Sequence, residues 1–224
     1  MKKQILLAAL LLVSMSAVAQ DSSKWAVKIR GGAEWSTLTG DEAKDEKNDL
    51  GWTLGAEAEY RLSDRFSISG GLQYARLKGK SDEVEVERDS YYEFRTDHVK
   101  YMREYIQMPV LLNVYLLKGL ALKAGIQPAL RIGSKMEYRL TGWYDDNYGN
   151  GTTPDITDLN WTEKAGMNNV THQMAFDIPV GISYEFHNVV LDARYHWGLS
   201  HVFKNGSDIR MRCLTVTLGY KFNM

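Results

Sequence analysis

The feature that most constrains this chain is a two-residue alternation of apolar and polar side chains that recurs along most of its length. Trp25, Val27, Ile29, Gly31, Ala33 and Trp35 fall on one face, while Ala26, Lys28, Arg30, Gly32, Glu34 and Ser36 fall on the other. That is the period of a strand with two unlike faces. The same pattern recurs over 50–62, 66–74, 105–116, 122–133, 176–186, 189–200 and 213–222, which makes about eight strands, an allowed size for a bacterial barrel. Pro109 withdraws one ladder donor from the fourth of them. Beyond the first residues no window holds ~18 consecutive apolar residues, so a membrane-crossing helix is excluded and insertion would have to be by barrel.

The connections alternate in length. Those near Ser63, Leu117 and His187 are two to four residues, whereas those covering 37–49, 78–100, 141–173 and 202–208 are longer. In an up-and-down barrel odd and even connections lie on opposite rims, so the long ones are expected outside the cell. The first residues read as a secretory leader: Lys2 and Lys3, the apolar run from Ile5 to Val13, then Ala17 and Ala19 as the cleavage site. Residues 1–20 are therefore expected to be removed, leaving 21–224 as one barrel domain. Cys213 is the single cysteine, so no intramolecular disulfide holds the exported chain together. A closed backbone ladder is the expected substitute.

Alternation alone does not say which face is inside, because a soluble periplasmic ligand carrier shows the same period with its faces exchanged. Three features place the charges inside. The strands are long enough for a tilted crossing. Aromatic residues recur near the ends of the apolar stripes, as in interfacial girdles: Trp25, Trp35, Tyr60, Phe66, Tyr74, Tyr184, Phe186, Trp197, Tyr220 and Phe222. The other face mixes glycine with charges of both signs. The expected lumen set is Lys28, Arg30, Arg61, Lys123, Arg131, Lys135, Arg194 and Lys221 with Glu34, Glu57, Glu59, Glu137, Asp177, Glu185 and Asp192, and His196 joins it as a network histidine. An eight-stranded barrel is only wide enough for its side chains to fill, so these groups are expected to pair as a plug rather than line a pore. With 27 basic against 28 acidic residues and a formal charge of -1, nothing advertises a nucleic-acid partner.

The stretches YIQMPVLLNVYL at 105–116, LKAGIQPALRI at 122–132, DIPVGISYEF at 177–186, LDARYHWGLSHV at 191–202 and the ending LTVTLGYKF at 214–222 resemble the PorT-type family of outer-membrane β-barrels, an eight-stranded group with OmpX-like architecture. The resemblance covers most of the mature chain. It implies an eight-stranded antiparallel up-and-down transmembrane barrel in the outer membrane, and it makes Phe222 the aromatic read by the outer-membrane assembly machinery, with Asn223 and Met224 following it. One member of the family is associated with protein secretion, but these motifs encode the barrel rather than that role.

Candidate chemistry is sparse. Asp192, His196 and Ser200 share a face but are spaced four apart on one strand, ~13 to 14 Å between neighbours at ~3.4 Å per residue, too far for a hydrolytic triad without partners from other strands. His98, His172 and His201 are scattered and carry no metal-ligand spacing. The string DDNYGNG at 145–151 lacks the glutamate of a calcium loop and reads as a solvated turn. No Gly-rich phosphate loop or cofactor motif appears, and Cys213 falls on the lumen face as an inert small residue. Acidic stretches at 37–49 and 81–89 read as a solvated surface facing lipopolysaccharide. Tyr91, Tyr92, Phe94 and Tyr101 are candidates for an edge above the membrane that captures a protein partner by strand addition. The sequence reading is thus a monomeric barrel without cofactor or enzymatic activity, with a structural or interaction role. The competing readings are a lipid-modifying enzyme of the outer membrane and a soluble periplasmic barrel that binds a ligand.

Overall fold

The computed structural model describes residues 24–40, 46–81, 85–89, 91–145, 156–167, 169–204 and 208–224; the expected leader, most of the DDNYGNG string and the tips of the long connections lie outside them. The described chain is all antiparallel β: β1 (Trp25–Thr39), β2 (Glu46–Arg61), β3 (Phe66–Ser81), β4 (Glu85–Asp89), β5 (Tyr92–Gln107), β6 (Val110–Leu117), β7 (Leu120–Asp145), β8 (Ile156–Gly166), β9 (Met174–Phe186), β10 (Val189–His201) and β11 (Arg210–Asn223). β1 pairs with β2 and β11, and the ladder continues from β11 through β10, β9, β7 and β6 to β3. β3 pairs in turn with β2, so the path returns to its start and leaves no open edge along it.

Among the described residues the sheet has eleven strands, where the alternation predicts about eight. Pro109 accounts for one of the additional strands. Without an N–H it cannot hold the ladder, so β5 stops at Gln107 and β6 starts at Val110, while the Pro109 carbonyl still accepts from Gly71 N–H at 3.0 Å. β4 and β8 are the other two, and they lie in stretches expected to be loops. β3, β5 and β7 also run on through those stretches, β7 to 26 residues. Beyond the apolar belt both faces of a strand meet water, so the chain still alternates but no longer alternates between greasy and polar.

Register explains one change in the lumen set. Glu104 pairs with Gly133, but Tyr105 pairs with Arg131, which leaves Ile132 as an extra residue in β7. One such bulge reverses the phase of every side chain after it. Ser134 is therefore buried, while Lys135 and Glu137 turn outward, and Glu137 Oε2 meets Lys164 Nζ at 3.3 Å. Lys135 and Glu137 do not belong to the lumen.

The outward face of the ring is apolar and uncovered: Leu54 (56% exposed), Leu72, Leu112, Ile126, Ile182, Leu191 and Leu218 (60%) stand on it. Aromatic pairs close this belt at both ends. Trp25 packs on Tyr60 (ring centroids 4.9 Å) and Tyr220 on Phe222 (4.7 Å) at one end, and Trp52 packs on Tyr74 (5.1 Å) at the other. Trp25 and Trp35 are ten residues apart on β1. At ~3.4 Å per residue and a tilt of ~40° the belt between them is ~26 Å tall, the height of a hydrocarbon layer crossed by strands. Gly119 makes the tight β6–β7 turn possible: its φ is 85°, and a Cβ there would run into the Glu185 carbonyl.

Candidate functional site

Inside the ring the inward positions form three layers. At the end near the short turns, five cations meet four carboxylates. Glu57 Oε1 lies 2.6 Å from Arg30 Nη1 and 2.7 Å from Arg194 Nη1. Asp192 takes Arg194 Nε at 2.7 Å and Lys123 Nζ at 2.5 Å. Glu59 takes Lys28 at 3.0 Å and Lys221 at 3.5 Å, and Lys221 also reaches Glu185 at 2.9 Å. The Tyr115 and Ser67 hydroxyls donate to Glu59 at 2.5 and 2.7 Å. Arg194 is 1% exposed. Charges this deeply buried persist only when each is paired, because desolvation otherwise expels them.

The middle layer is made of amides. Gln73 Nε2 donates to Gln107 at 2.5 Å and to Gln127 at 3.4 Å, and Gln127 Nε2 contacts Asp177 at 3.4 Å and His196 Nδ1 at 3.2 Å. Beside it Thr215 donates to Glu34 at 3.0 Å. The third layer is apolar and was not anticipated: Leu38, Leu77, Tyr105, Ala129, Val202, Ile209, Met211 and Cys213 cluster at the outer end, with Ala175 and Phe203 against them. These residues occupy inward positions just past the aromatic girdle, and the buried Arg103 stands among them, in register with Leu77. Above it Arg131 donates from Nε to the His172 carbonyl at 3.0 Å and from Nη2 to that of Thr171 at 3.3 Å, tying the chain between β8 and β9 across the top. The recess beside Asp177 and Tyr105 holds only about 10 Å³. Purified protein in planar bilayers is therefore expected to show no large steady conductance; open-channel currents of porin size would contradict the filled lumen.

The expected network residues thus divide. Arg30, Glu57, Glu59, Lys123, Asp192, Arg194 and Glu185 come together with Lys28 and Lys221. Asp177 and His196 sit in the amide layer, and Arg131 grips backbone carbonyls. Arg61 stands apart at the mouth, its guanidinium 4.9 Å over the Tyr115 ring. The Gln73–Gln107–Gln127 trio was legible only as three separate inward residues, because their meeting depends on register across β3, β5 and β7. The hydrolytic set does not assemble: Ser200 Oγ accepts from Phe176 N–H at 2.9 Å, while His196 faces Gln127. Among the described residues no group of three or more His, Cys, Asp or Glu is placed to hold a metal ion.

A second site lies above the ring. β4 pairs β5, β5 pairs β7 and β7 pairs β8, building a four-stranded sheet from the outer parts of these strands. Tyr91, Tyr92, Phe94 and Tyr101 do not form its edge. β5 has neighbours on both sides, β3 and β4 on one and β7 on the other; the edges are β4 and β8. The face that continues the lumen side carries an open cleft of about 550 Å³ lined by Glu87, Phe94, Thr96, Leu140, Tyr144, Leu159 and Trp161. Gly142 lies opposite both Phe94 and Leu159 in register and puts no side chain between them; it has φ 155°, and a Cβ there would strike the Glu93 carbonyl. Tyr92 stacks on Phe94 at 5.0 Å, and its hydroxyl donates to Glu87 at 3.1 Å, which pushes the Tyr92 pKa upward. By register the acids Glu87, Asp89 and Glu163 fall on this face, whereas Arg88, Arg95, Arg139 and Lys164 fall on the other together with the acids Glu93, Asp97, Glu137 and Asp158. β8 leaves only a weak trace in the sequence, the short alternation of Thr157, Leu159 and Trp161 against Asp158, Asn160 and Thr162 inside a stretch expected to be a loop.

The crystal structure of Ail, the attachment invasion locus protein of Yersinia pestis, is similar at 14% identity over 89% of this chain and 99% of that chain, with a TM-score of 0.45. Neisserial surface protein A is similar at 16% identity over 88% and 99%, TM-score 0.47, and OprG of Pseudomonas aeruginosa at 12% over 91% and 98%, TM-score 0.34. No match was found among curated proteins. The outer membrane protein beta-barrel domain family matches residues 5–222, nearly the whole sequence. The chain belongs to that family, and it is an outer-membrane protein.

Proposed function

We propose that this protein is a closed, non-enzymatic outer-membrane barrel that crosses the membrane as eight strands and works through the sheet above it, where β8 captures an extended segment of a protein partner. The observation that carries this reading is the coincidence of an outer edge strand with an apolar cleft on the same few residues. β8 pairs only with β7 among the described strands, and Leu159 and Trp161 of β8 line the cleft. A strand added to such an edge gains main-chain hydrogen bonds, and alternate side chains enter the cleft. The acids on that face favour a segment with apolar residues on one side and basic residues among them.

The eight-strand count rests on treating β5 and β6 as one interrupted stave and β4 and β8 as additions outside the membrane. The lumen carboxylates are engaged, Glu57, Glu59, Glu185 and Asp192 by cations, Asp177 by Gln127 and Glu34 by the Thr215 hydroxyl, and His196 faces Gln127, which disfavours the lipid-modifying alternative. The uncovered apolar belt disfavours the soluble carrier. In this reading the protein is a monomer without cofactor, Phe222 is its assembly signal, and the long connections face lipopolysaccharide. A secretion role, with which one member of the PorT-type family is associated, would act through the same edge.

Photo-crosslinking on intact cells tests the capture. A benzophenone side chain at Trp161 is expected to give a discrete protein adduct that the neighbouring position, Thr162 on the opposite face, does not give, and Leu159→Asp is expected to reduce the adduct at least tenfold. Equal labelling from the two positions, or an adduct indifferent to Leu159→Asp, would remove the strand-capture reading.

A further inference from the structure

The three short turns meet at the end of the barrel opposite the outer sheet, and they enclose a second cleft of about 890 Å³. It is lined by Arg61, Asp64 and Arg65 from the β2–β3 connection, by Tyr115 to Gly119 of β6 and its turn, and by Tyr184 to His187 of β9 and its turn. Arg61, Arg65 and Lys118 bring three cations to it. Among the described residues no carboxylate lies within ion-pair distance of any of them: Glu59 is held by Lys28, Lys221, Tyr115 and Ser67, and Glu185 by Lys221. Asp64 is the remaining acid of the lining. Arg61 is braced over the Tyr115 ring, and the Tyr115 N–H donates to the Arg65 carbonyl at 2.8 Å, so the turns carrying Arg61 and Arg65 are tied to β6.

The outer wall of the same cleft is apolar and bare: Leu116, Leu117 (69% exposed), Tyr184 and Phe186 (64%) continue the belt down to this rim. Cations at the polar edge of a lipid-facing wall match one ligand chemistry, a phosphate carried on acyl chains. We propose that this cleft seats the phosphodiester headgroup of an anionic phospholipid from the periplasmic leaflet. Arg61, Arg65 and Lys118 contact the phosphate, and the chains lie along Leu116, Leu117, Tyr184 and Phe186. Arg61 thereby acquires the anionic partner that the lumen network does not supply.

Native mass spectrometry of the detergent-purified full chain, titrated with phosphatidylglycerol, tests the site. The wild type is expected to retain one lipid with at least tenfold higher affinity than the Arg61→Gln, Arg65→Gln, Lys118→Gln variant, and to prefer it over phosphatidylcholine. Arg88→Gln, Arg95→Gln, Arg139→Gln, made in the outer sheet, is expected to bind as wild type. Should the periplasmic triple variant fail to fold, as judged by heat-modifiable gel mobility, Lys118→Gln alone is expected to weaken retention about threefold. Unchanged retention in the variant that folds would overturn the proposal. Displacement by inorganic phosphate at equal concentration would assign the site to a free anion and overturn the lipid.

Discussion

Replacing Glu57 with alanine is expected to lower the unfolding free energy by about 3–5 kcal/mol, the cost of leaving buried charges without their partner. Glu57 is 2% exposed and lies within ion-pair distance of Arg30, Arg194 and Lys28. Its removal leaves Arg194 to Asp192 alone and strips Arg30 of its short contact, keeping only Asp192 at 3.8 Å. Water reaches the mouth beside Glu59 and Lys221, but Glu57 and Arg194 lie deeper, at 2% and 1% exposed, under the apolar lid of Leu38, Leu77 and Met211. Glu57→Gln keeps the volume and isolates the charge term, so it is expected to retain part of the loss. Glu163→Ala, on the exposed β8, is expected to change stability by less than about 0.5 kcal/mol. Urea unfolding of protein refolded into vesicles measures all three; a Glu57→Ala protein within about 0.5 kcal/mol of wild type would mean that the network contributes nothing to holding the staves.

The second large effect is expected from Leu54→Arg, at about 2–4 kcal/mol, the cost of a cation near the middle of the bilayer on the lipid face of a barrel. Leu54 is 56% exposed and pairs with Gly31, which lies one residue from the midpoint between Trp25 and Trp35. The same substitution at Leu159, above the belt, removes a cleft contact but places no charge in hydrocarbon, and is expected to cost less than half as much. Equal costs at the two positions would show that the belt around Leu54 does not face lipid. Nitroxide labels give an independent reading: one at Leu54 is expected to be relaxed by oxygen dissolved in the bilayer, and one at Glu57 to be shielded.

These two residues also mark what could be read in advance. Leu54 and Glu57 stand three apart, so strand parity alone sends them to opposite faces, and the length of the stripe with its aromatic ends says which face meets lipid. Parity held wherever one side of the ladder was greasy, which is why Arg30, Glu59, Lys123, Asp192 and Arg194 could be assigned inward. It misplaced Lys135 and Glu137 because the extra residue Ile132 lies inside an unbroken alternation, and nothing local distinguishes a bulge from one more strand residue. It also passed over β4 and β8. Their two faces are both wet or shallowly covered, so hydrophobic contrast, the signal that reveals a strand, is weak there even though hydrogen bonding is not.

By itself the sequence determined the all-β class, the alternation that separates lipid-facing from inward residues, the export leader as an expectation and the signs of the inward charges, since each depends on neighbours one or two residues away. Only the tertiary structure decided which charges meet, where the amide and apolar layers fall, that Arg61 stands outside the network and that β8 forms an edge beside a cleft. Those outcomes are set by register between strands far apart in the chain. A shift of one residue in any pairing would leave the local pattern intact and exchange every contact across it.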